Sequence, residues 1–274
     1  MVEWQIDVLY YGKIRCPKSA LTVGFDEELV LDFPYLGFLL TTEGKTVLID
    51  SGISEKFIVN GKAWSGYPAE GGKDFVLKAL KDRNIDPNKI NTVIYTHLHN
   101  DHAANCELFP NSKIIVQEDE WDALLNPIPV EKIRGDYDQS IIPVLSSMNL
   151  VKINGDLELL EGLKVYKTPG HTRGGQVIVV NTKEGRRVLC GDSCHCLCNI
   201  FPHLTELIDM EGNSHKITPA PEVYGPGLPS SLVYNYYDWY KTVDRIKALA
   251  EYYEPSFIIT GHDPSLISLG INYK

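Results

Sequence analysis

Long hydrophobic runs and clusters of positive charge are both missing from this sequence. No apolar stretch approaches the roughly 18 residues that a membrane-spanning helix needs. The 26 basic residues are outnumbered by 36 acidic ones, which gives a net charge of −10, and no run of lysine and arginine is longer than two. Such a chain has little with which to neutralise a phosphate backbone. We therefore expect neither a membrane nor a nucleic acid among its partners.

We expect neither a signal peptide nor a disulfide framework. The first residues, MVEWQIDVLYYGK, contain no basic region followed by an apolar one, so we expect a soluble, cytoplasmic protein. The six cysteines are too few for a disulfide scaffold in a chain of 274 residues, and reduced thiols are expected. Four of them form a cluster of Cys190, Cys194, Cys196 and Cys198, whose role stays open between apolar packing, metal binding and sulfur chemistry.

Linkers, low-complexity tracts and internal repeats are absent as well, which predicts a single domain over residues 1–274. Short β-branched runs predict strands at 38–40, 46–49, 92–95, 113–116, 164–166, 177–180, 188–189 and 257–259. Helical spacing of apolar residues occurs at 74–82 and 236–252. Early strands form hairpins, as at the Glu43-Gly44 turn, and later strands alternate with helices. This mixture predicts an α/β protein in which helices cover stacked sheets.

Five of the predicted strands are each followed, within a few residues, by a side chain that can bind a metal. These side chains are Asp50, His97, His171, Asp192 and His262. Strands that end at one rim of a sandwich bring such side chains together, because a rigid sheet presents functional residues on the loops at its edge. A single acid or histidine after a strand is commonly a turn or surface residue, but five in this position predict a shared site.

The segment from Thr96 to His102 places three imidazoles and a carboxylate in six positions. In an extended segment, residues two apart lie on one side, so His97 and His99 are predicted to share one ion. Asp101 and His102 then face a second ion, and the spacing suits a two-metal cluster better than one closed tetrahedral site. Nitrogen and carboxylate ligands without thiolate favour two Zn²⁺, with iron or manganese as alternatives.

The histidine segment resembles the H-x-H-x-D-H motif of the metallo-β-lactamase superfamily. The later motifs TPGHT, GDS and GHD, and LIDSG upstream, follow the order and approximate spacing of that superfamily over most of the chain. The resemblance implies a four-layer αββα sandwich, with two mixed sheets covered by helices. It also implies that Asp50 buttresses the histidine loop. The Ala103-Ala104 pair, where many members have a glycine, departs from the pattern without affecting a ligand.

The resemblance implies a distribution of seven ligands over two ions. The first ion would be held by His97, His99 and His171, the second by Asp101, His102 and His262, with Asp192 between them. Two ions with a bridging solvent provide hydroxide at neutral pH, so the expected chemistry is attack of a metal-bound hydroxide on a carbonyl. Asp101 or Asp192 would move the proton.

Chain length and the full ligand set are most similar to the N-acyl homoserine lactonase-like group, which predicts a zinc-dependent hydrolase of a lactone or related ester. Hydrolysis of an amide, or of a thioester as in glyoxalase II-like enzymes, remains an alternative on the same site. A mononuclear iron persulfide dioxygenase-like oxidoreductase is a second alternative. The partner is a small-molecule substrate, and the sequence is compatible with a monomer or a homodimer.

Two segments beyond the minimal fold are candidates for the pocket wall, at 53–72 and at 199–240. His195 is a further candidate, because lactonases of the similar group commonly carry a tyrosine three residues after the bridging acid. That tyrosine donates a hydrogen bond to the substrate carbonyl. An imidazole can donate to a developing oxyanion or deliver a proton to a leaving group, so we predict a catalytic role for His195.

Overall fold

The computed structural model describes residues 2–270 and 272–273. The strands are β1 Gln5–Pro17, β2 Val30–Thr42, β3 Lys45–Ile49, β4 Ala69–Gly71, β5 Thr92–Ile94, β6 Lys113–Gln117, β7 Asn149–Ile153, β8 Leu157–Leu160, β9 Leu163–Lys167, β10 Gln176–Thr182, β11 Gly185–Leu189, β12 Glu206–Ile208, β13 Ser214–Lys216, β14 Ile258–Ile259 and β15 Asn272–Tyr273. The α-helices are α1 Lys73–Lys81, α2 Glu118–Leu125, α3 Pro129–Arg134, α4 Ile142–Ser147, α5 Leu197–Ile200, α6 Tyr236–Leu249 and α7 Ser265–Ser268.

Two mixed sheets form the centre of the structure. The larger sheet has the strand order β15-β1-β2-β3-β5-β6-β7, with β4 also paired to β1. Strands β3, β5, β6 and β7 are parallel neighbours in this sheet, whereas β1, β2 and β3 are antiparallel neighbours. The smaller sheet has the order β14-β11-β10-β9-β8, in which only the β11–β14 pair is parallel. A separate hairpin, β12–β13, lies within the long segment before α6.

Alternating side chains pack the two sheets against each other and against helices. In β3, Val47 and Ile49 belong to the core between the sheets, while Leu48 belongs to the core under α1 and α2. In β10, Ile178 faces the other sheet and Val177 packs with α6. Period-two alternation with both faces apolar requires cover on both sides of each sheet. The predicted four-layer αββα sandwich is therefore confirmed.

Each predicted strand lies on or overlaps a strand of the structure, and β2 and β3 form the hairpin that turns at Glu43-Gly44. The predicted helix at 74–82 corresponds to α1. The helix predicted at 236–252 ends earlier, at Leu249, because Ala250 is extended and the Glu251 amide donates to the Arg186 carbonyl oxygen at 3.0 Å.

The carboxyl ends of β5, β9, β11 and β14 lead into the four segments that carry the predicted metal ligands, and the end of β3 leads into Asp50. The loops after β5, β9, β11 and β14 meet at one edge of the sandwich, since their ligand atoms lie close together. In the described part of the chain, none of the helices combines the length and apolar character needed to cross a membrane.

Candidate metal centre

Asp50 organises the first loop of the site. It directly follows β3 and has a left-handed backbone, with φ of 60°. Its Oδ1 accepts a hydrogen bond from the Thr96 amide at 2.8 Å, and its Oδ2 accepts one from Thr96 Oγ1 at 2.7 Å. The same Oδ2 lies 2.8 Å from Nδ1 of His102. The carboxylate thus fixes the orientation of the His102 ring and leaves its Nε2 facing the site.

A three-histidine group consists of His97, His99 and His171, whose ligand atoms all lie within 4.8 Å of one another. The Nδ1 of His99 and the Nε2 of His171 are 3.2 Å apart. The His171 ring is oriented by its Nδ1, which lies 2.6 Å from the Leu232 carbonyl oxygen. The His97 Nδ1 lies 3.0 Å from Thr96 Oγ1. The remaining nitrogens therefore converge, as ligands of a single ion would.

A mixed group of Asp101, His102, Asp192 and His262 adjoins the first. The Pro34 carbonyl oxygen, 2.8 Å from His262 Nδ1, orients that ring. Oδ1 of Asp192 lies 3.3 Å from His102 Nε2 and 3.0 Å from His262 Nε2. Asp101 is farther from both imidazoles, at 3.8 Å, and its side chain is 25% exposed.

Asp192 lies between the two groups. While its Oδ1 faces the mixed group, its Oδ2 lies 3.6 Å from His171 Nε2 and 4.0 Å from His97 Nε2. The neighbouring Gly261 permits this close packing, because a Cβ there would lie 2.5 Å from Asp192 Oδ1. One carboxylate can therefore serve two ions.

Several buried polar atoms of the site have no hydrogen-bond partner, which indicates whether metal ions would fit there. Nε2 of His97, Nε2 of His102 and Oδ1 of Asp192 are all buried and have no hydrogen bond. Unpaired buried polar atoms are costly and rare in folded proteins. A divalent ion in each group would satisfy these atoms, and imidazole and carboxylate donors suit zinc, iron or manganese. The residues present fit a dinuclear centre.

The protonation of the imidazoles agrees with this fit. Burial lowers the pKa of every imidazole in the three-histidine group, to about 3 for His171, so these rings are neutral and have a free lone pair. For His102 and His262, burial opposes protonation, but the negative charges of Asp192 and Asp101 together raise the pKa. Ions bound in the mixed group would displace those protons.

A cavity of about 310 Å³ opens above the two groups. Its apolar lining residues are Ile14, Cys16, Leu21, Phe33, Tyr35, Ile53, Phe57, Ala63, Trp64 and Leu232. The predicted wall segment 53–72 thus contributes Phe57 and Trp64, and the segment 199–240 contributes Leu232. Its polar lining includes Arg134, which is held by a bidentate contact with Asp136.

Comparison with known proteins agrees with this geometry. The family model described as the metallo-beta-lactamase superfamily matches residues 32–262, a range that includes both groups of ligands. The chain belongs to this superfamily.

Two curated relatives from the superfamily are N-acyl homoserine lactonases. The protein from Bacillus thuringiensis is 33% identical over 178 residues, which is 62% of this chain and 66% of that protein, just under two thirds of its length. The lactonase AttM from Rhizobium radiobacter is 25% identical over 276 residues, covering 96% of this chain and 95% of that protein.

A solved superfamily structure with the same fold is an AiiA variant from Bacillus thuringiensis with N-decanoyl-L-homoserine bound at its active site. It superposes with a TM-score of 0.73 over 97% of this chain and 95% of that chain, at 23% identity. At this level of identity the likeness establishes the fold.

His195 lies inside the site, at the position where lactonases of the similar group commonly have a tyrosine. Its side chain is buried, its ring lines the cavity, and its Nε2 lies 3.2 Å from Oδ2 of Asp192. The ring also stacks on that of His262, with centroids 5.6 Å apart and an interplanar angle of 23°. The structure thus brings His195 together with all seven predicted ligands.

The four clustered cysteines, Cys190, Cys194, Cys196 and Cys198, are close to the candidate metal ligands in sequence but are not part of either ligand group. All four are buried free thiols. Cys190 and Cys194 pack in the core under α6, and Cys196 and Cys198 pack in the core of the larger sheet. Within residues 2–270 and 272–273, no candidate group of metal ligands contains a cysteine.

Sequence reasoning missed Glu120, in the first turn of α2. Its carboxylate is fully buried and accepts hydrogen bonds from the Leu98 amide at 2.9 Å, the Tyr137 hydroxyl at 3.0 Å and the Gly174 amide at 3.1 Å. Leu98 lies between His97 and His99, and Gly174 follows His171. A signal was available, since Glu120 shares a helical face with the apolar residues Ala123 and Leu124.

Proposed function

We propose that this protein is a dinuclear metal-dependent hydrolase that opens the ester ring of a lactone of the N-acyl homoserine lactone class. One observation carries the proposal: the Asp192 carboxylate lies between two groups of buried ligands at the floor of a largely apolar cavity. The activity of the two curated relatives, one of which matches over almost its whole length, supports the same substrate class.

The proposed ligands are those that the sequence predicted: His97, His99 and His171 for one ion, Asp101, His102 and His262 for the other, and Asp192 for both. We propose zinc as the metal, because nitrogen and carboxylate donors without thiolate suit it. Iron and manganese are the alternatives that the experiment below compares with zinc. When bound, two such ions polarise a carbonyl group and lower the pKa of water.

The side chains around the ligands have distinct roles in this proposal. The apolar wall binds the acyl chain, with Phe57, Trp64 and Leu232 drawn from the two segments outside the minimal fold. Asp101 is the more exposed of the two carboxylates, so it takes up the proton released during attack and returns it to the leaving alkoxide. We treat residues 1–274 as one domain that forms this single pocket.

The proposal is tested by assaying the protein after loading with zinc, iron(II) or manganese(II). Acyl homoserine lactones of increasing chain length and an unsubstituted γ-butyrolactone are the substrates, and mass spectrometry detects the gain of one water in the product. We expect ring opening that is lost with a chelator and restored by about two ions per chain. Asp192→Ala should be inactive, and Asp244→Ala, at an exposed site on α6, should match the wild type.

Two results would overturn the proposal. Lactones that all remain at background while a thioester is hydrolysed would indicate a glyoxalase II-like enzyme. Activity with one iron per chain, together with oxygen consumption on a persulfide substrate, would indicate an oxygenase.

A further inference from the structure

His195 is not one of the seven predicted ligands, but hydrogen bonds of its backbone hold it in the site. Its carbonyl oxygen accepts a hydrogen bond from the His262 amide at 2.7 Å, and the preceding Cys194 carbonyl accepts one from Gly261 at 3.0 Å. The loop after β11 is thus joined to the loop after β14. This pairing holds the His195 ring at the edge of the three-histidine group.

The Nε2 of His195 resembles the nitrogens of the predicted ligands in two respects. It is buried without a hydrogen bond, as are Nε2 of His97 and Nε2 of His102. With Nε2 of His171 and a carboxylate oxygen of Asp192, it also forms a third group of ligand atoms within 4.8 Å of one another.

Within this third group, the contact between His195 and Asp192 has the spacing of two atoms bound to one ion. Two nitrogen or oxygen ligands at about 2.1 Å from an ion, at right or tetrahedral angles, lie about 3.0 to 3.5 Å apart. Nε2 of His195 lies 3.2 Å from Oδ2 of Asp192, and these atoms are not aligned for a hydrogen bond. A shared ion would give this unpaired nitrogen a partner at a separation that suits two ligands of one ion.

We propose that, in the protein without substrate, His195 supplies an additional nitrogen ligand to the ion of the three-histidine group. This inference rests on the proposed dinuclear site and deepens it, because the chain then offers eight ligands in place of seven.

The second nitrogen of the ring indicates that this ligand is exchangeable. The Nδ1 atoms of His97, His102, His171 and His262 each lie against an oxygen that fixes the ring. Among the hydrogen bonds of the described chain, none involves the His195 side chain. A ligand without such a partner is held less firmly. His195 can therefore leave the ion when substrate enters the cavity, and is then free to donate to the substrate carbonyl.

The additional ligand also affects which metal binds. His97, His99, His171, His195 and Asp192 would give the first ion five protein donors, whereas zinc sites are commonly four-coordinate. Ions that accept five or six nitrogen and oxygen ligands, such as iron(II), manganese(II) and cobalt(II), gain most from the fifth donor. His195 is thus a determinant of metal selectivity.

The test compares cobalt(II)-loaded wild type with His195→Ala and His195→Phe, in the absence of substrate. The phenyl ring of His195→Phe retains the stacking on His262 but has no nitrogen donor. His203→Ala is the matched control, because His203 is exposed. The measurements are the visible absorption of bound cobalt and the affinity for each ion in competition with a chelator.

We expect both His195 variants to bind one of the two ions at least about tenfold more weakly, with stronger cobalt absorption from the lower coordination number. Added imidazole should restore the wild-type spectrum in His195→Ala, and His203→Ala should be unchanged. Unchanged affinity and spectrum in His195→Phe, together with lower kcat, would overturn the proposal and leave His195 as a donor to substrate only.

These readings are independent of the substrate. If the wild type opens no lactone, the proposed function fails, and the cobalt spectra still decide whether His195 is a ligand. If His195→Ala does not fold, judged by circular dichroism, His195→Phe gives the decision.

Discussion

At the scale of single residues, Asp50 shows how one side chain connects backbone geometry with metal chemistry. A non-glycine residue with positive φ costs on the order of 1 kcal/mol. Three hydrogen-bonding contacts, two with Thr96 and one with His102, hold Asp50 in this conformation. The strained backbone is therefore stabilised by the contacts of the carboxylate with the loop that follows the neighbouring parallel strand β5.

Substitution of Asp50 by asparagine should lower the affinity of the mixed group for its metal ion. The amide keeps the size of the side chain, but it has no negative charge opposite Nδ1 of His102. Loss of such a supporting carboxylate typically lowers metal affinity by about 10- to 100-fold. Chelator competition on Asp50→Asn, with Asp244→Asn as the exposed control, measures the effect. Equal affinities would mean that Asp50 only shapes the loop.

The grouping of the candidate ligands was predictable from sequence because each lies within a few residues of an apolar strand. His97, His99 and Asp101 also share one short segment, so their proximity is local. The groups that orient the rings were not predictable in this way. The carbonyl oxygens of Pro34 and Leu232 contact His262 and His171 across 228 and 61 residues, and a backbone carbonyl has no signature in the sequence.

At the scale of secondary-structure elements, α2 joins the two loops of the three-histidine group. Glu120 accepts from Leu98 in one loop and from Gly174 in the other. Gly174 comes so close to α2 that a Cβ there would lie 2.1 Å from the Glu120 amide nitrogen. The start of α2 therefore sets the distance between the loops.

Truncation of Glu120 should destabilise the protein even in the absence of metal. Glu120→Ala leaves the Leu98 amide, the Gly174 amide and the Tyr137 hydroxyl without their acceptor, at roughly 1–3 kcal/mol for each buried group. Urea unfolding of the metal-free protein measures the loss. Glu118→Ala is the matched control, because Glu118 is exposed in the same helical turn. Equal unfolding free energies for the two variants would contradict this role.

The sequence predicted the strands that have a run or alternation of apolar residues. It did not predict the strands that lack such a pattern. β8 and the β12–β13 hairpin contain several exposed or charged residues, so no periodic pattern marks them. β1 is interrupted by a bulge at Tyr10–Lys13, where Gly12 has a φ of 121° and pairs with β4. These strands are held by backbone pairing with their neighbours, which leaves no apolar pattern in the sequence.

At the scale of the whole molecule, the long segment before α6 is attached to the connection between β1 and β2. Asp26 in that connection accepts hydrogen bonds from the amide and hydroxyl of Thr218. Its carboxylate also lies 2.8 Å from Nζ of Lys18, whose side chain is 1% exposed. The Val23 amide donates to the Pro229 carbonyl oxygen at 2.9 Å. A buried ion pair thus helps to position Leu232, which lines the cavity and orients His171.

Replacement of Lys18 by methionine should lower the unfolding free energy at neutral pH by about 3 kcal/mol, since removal of one partner leaves the other charge largely buried and unpaired. Lys78→Met removes the exposed pair with Asp82 and should lower the unfolding free energy far less, because water screens an exposed pair. Urea unfolding at pH 7 compares the two variants. A loss for Lys18→Met no greater than that for Lys78→Met would contradict the proposed contribution of the buried pair.

The same pair predicts how stability changes with pH. Partial burial opposes ionisation, but hydrogen bonds from Lys18 and Thr218 hold the pKa of Asp26 below its ordinary value. A carboxyl with a lowered folded-state pKa contributes stability above its unfolded pKa of about 3.9, and this contribution is lost as pH falls through the folded value. The difference in unfolding free energy between wild type and Lys18→Met should therefore be largest near pH 7 and narrow as pH falls below about 4. A difference that stays constant from neutral to acidic pH would show that Lys18 acts through packing of its aliphatic chain and not through the charge of Asp26.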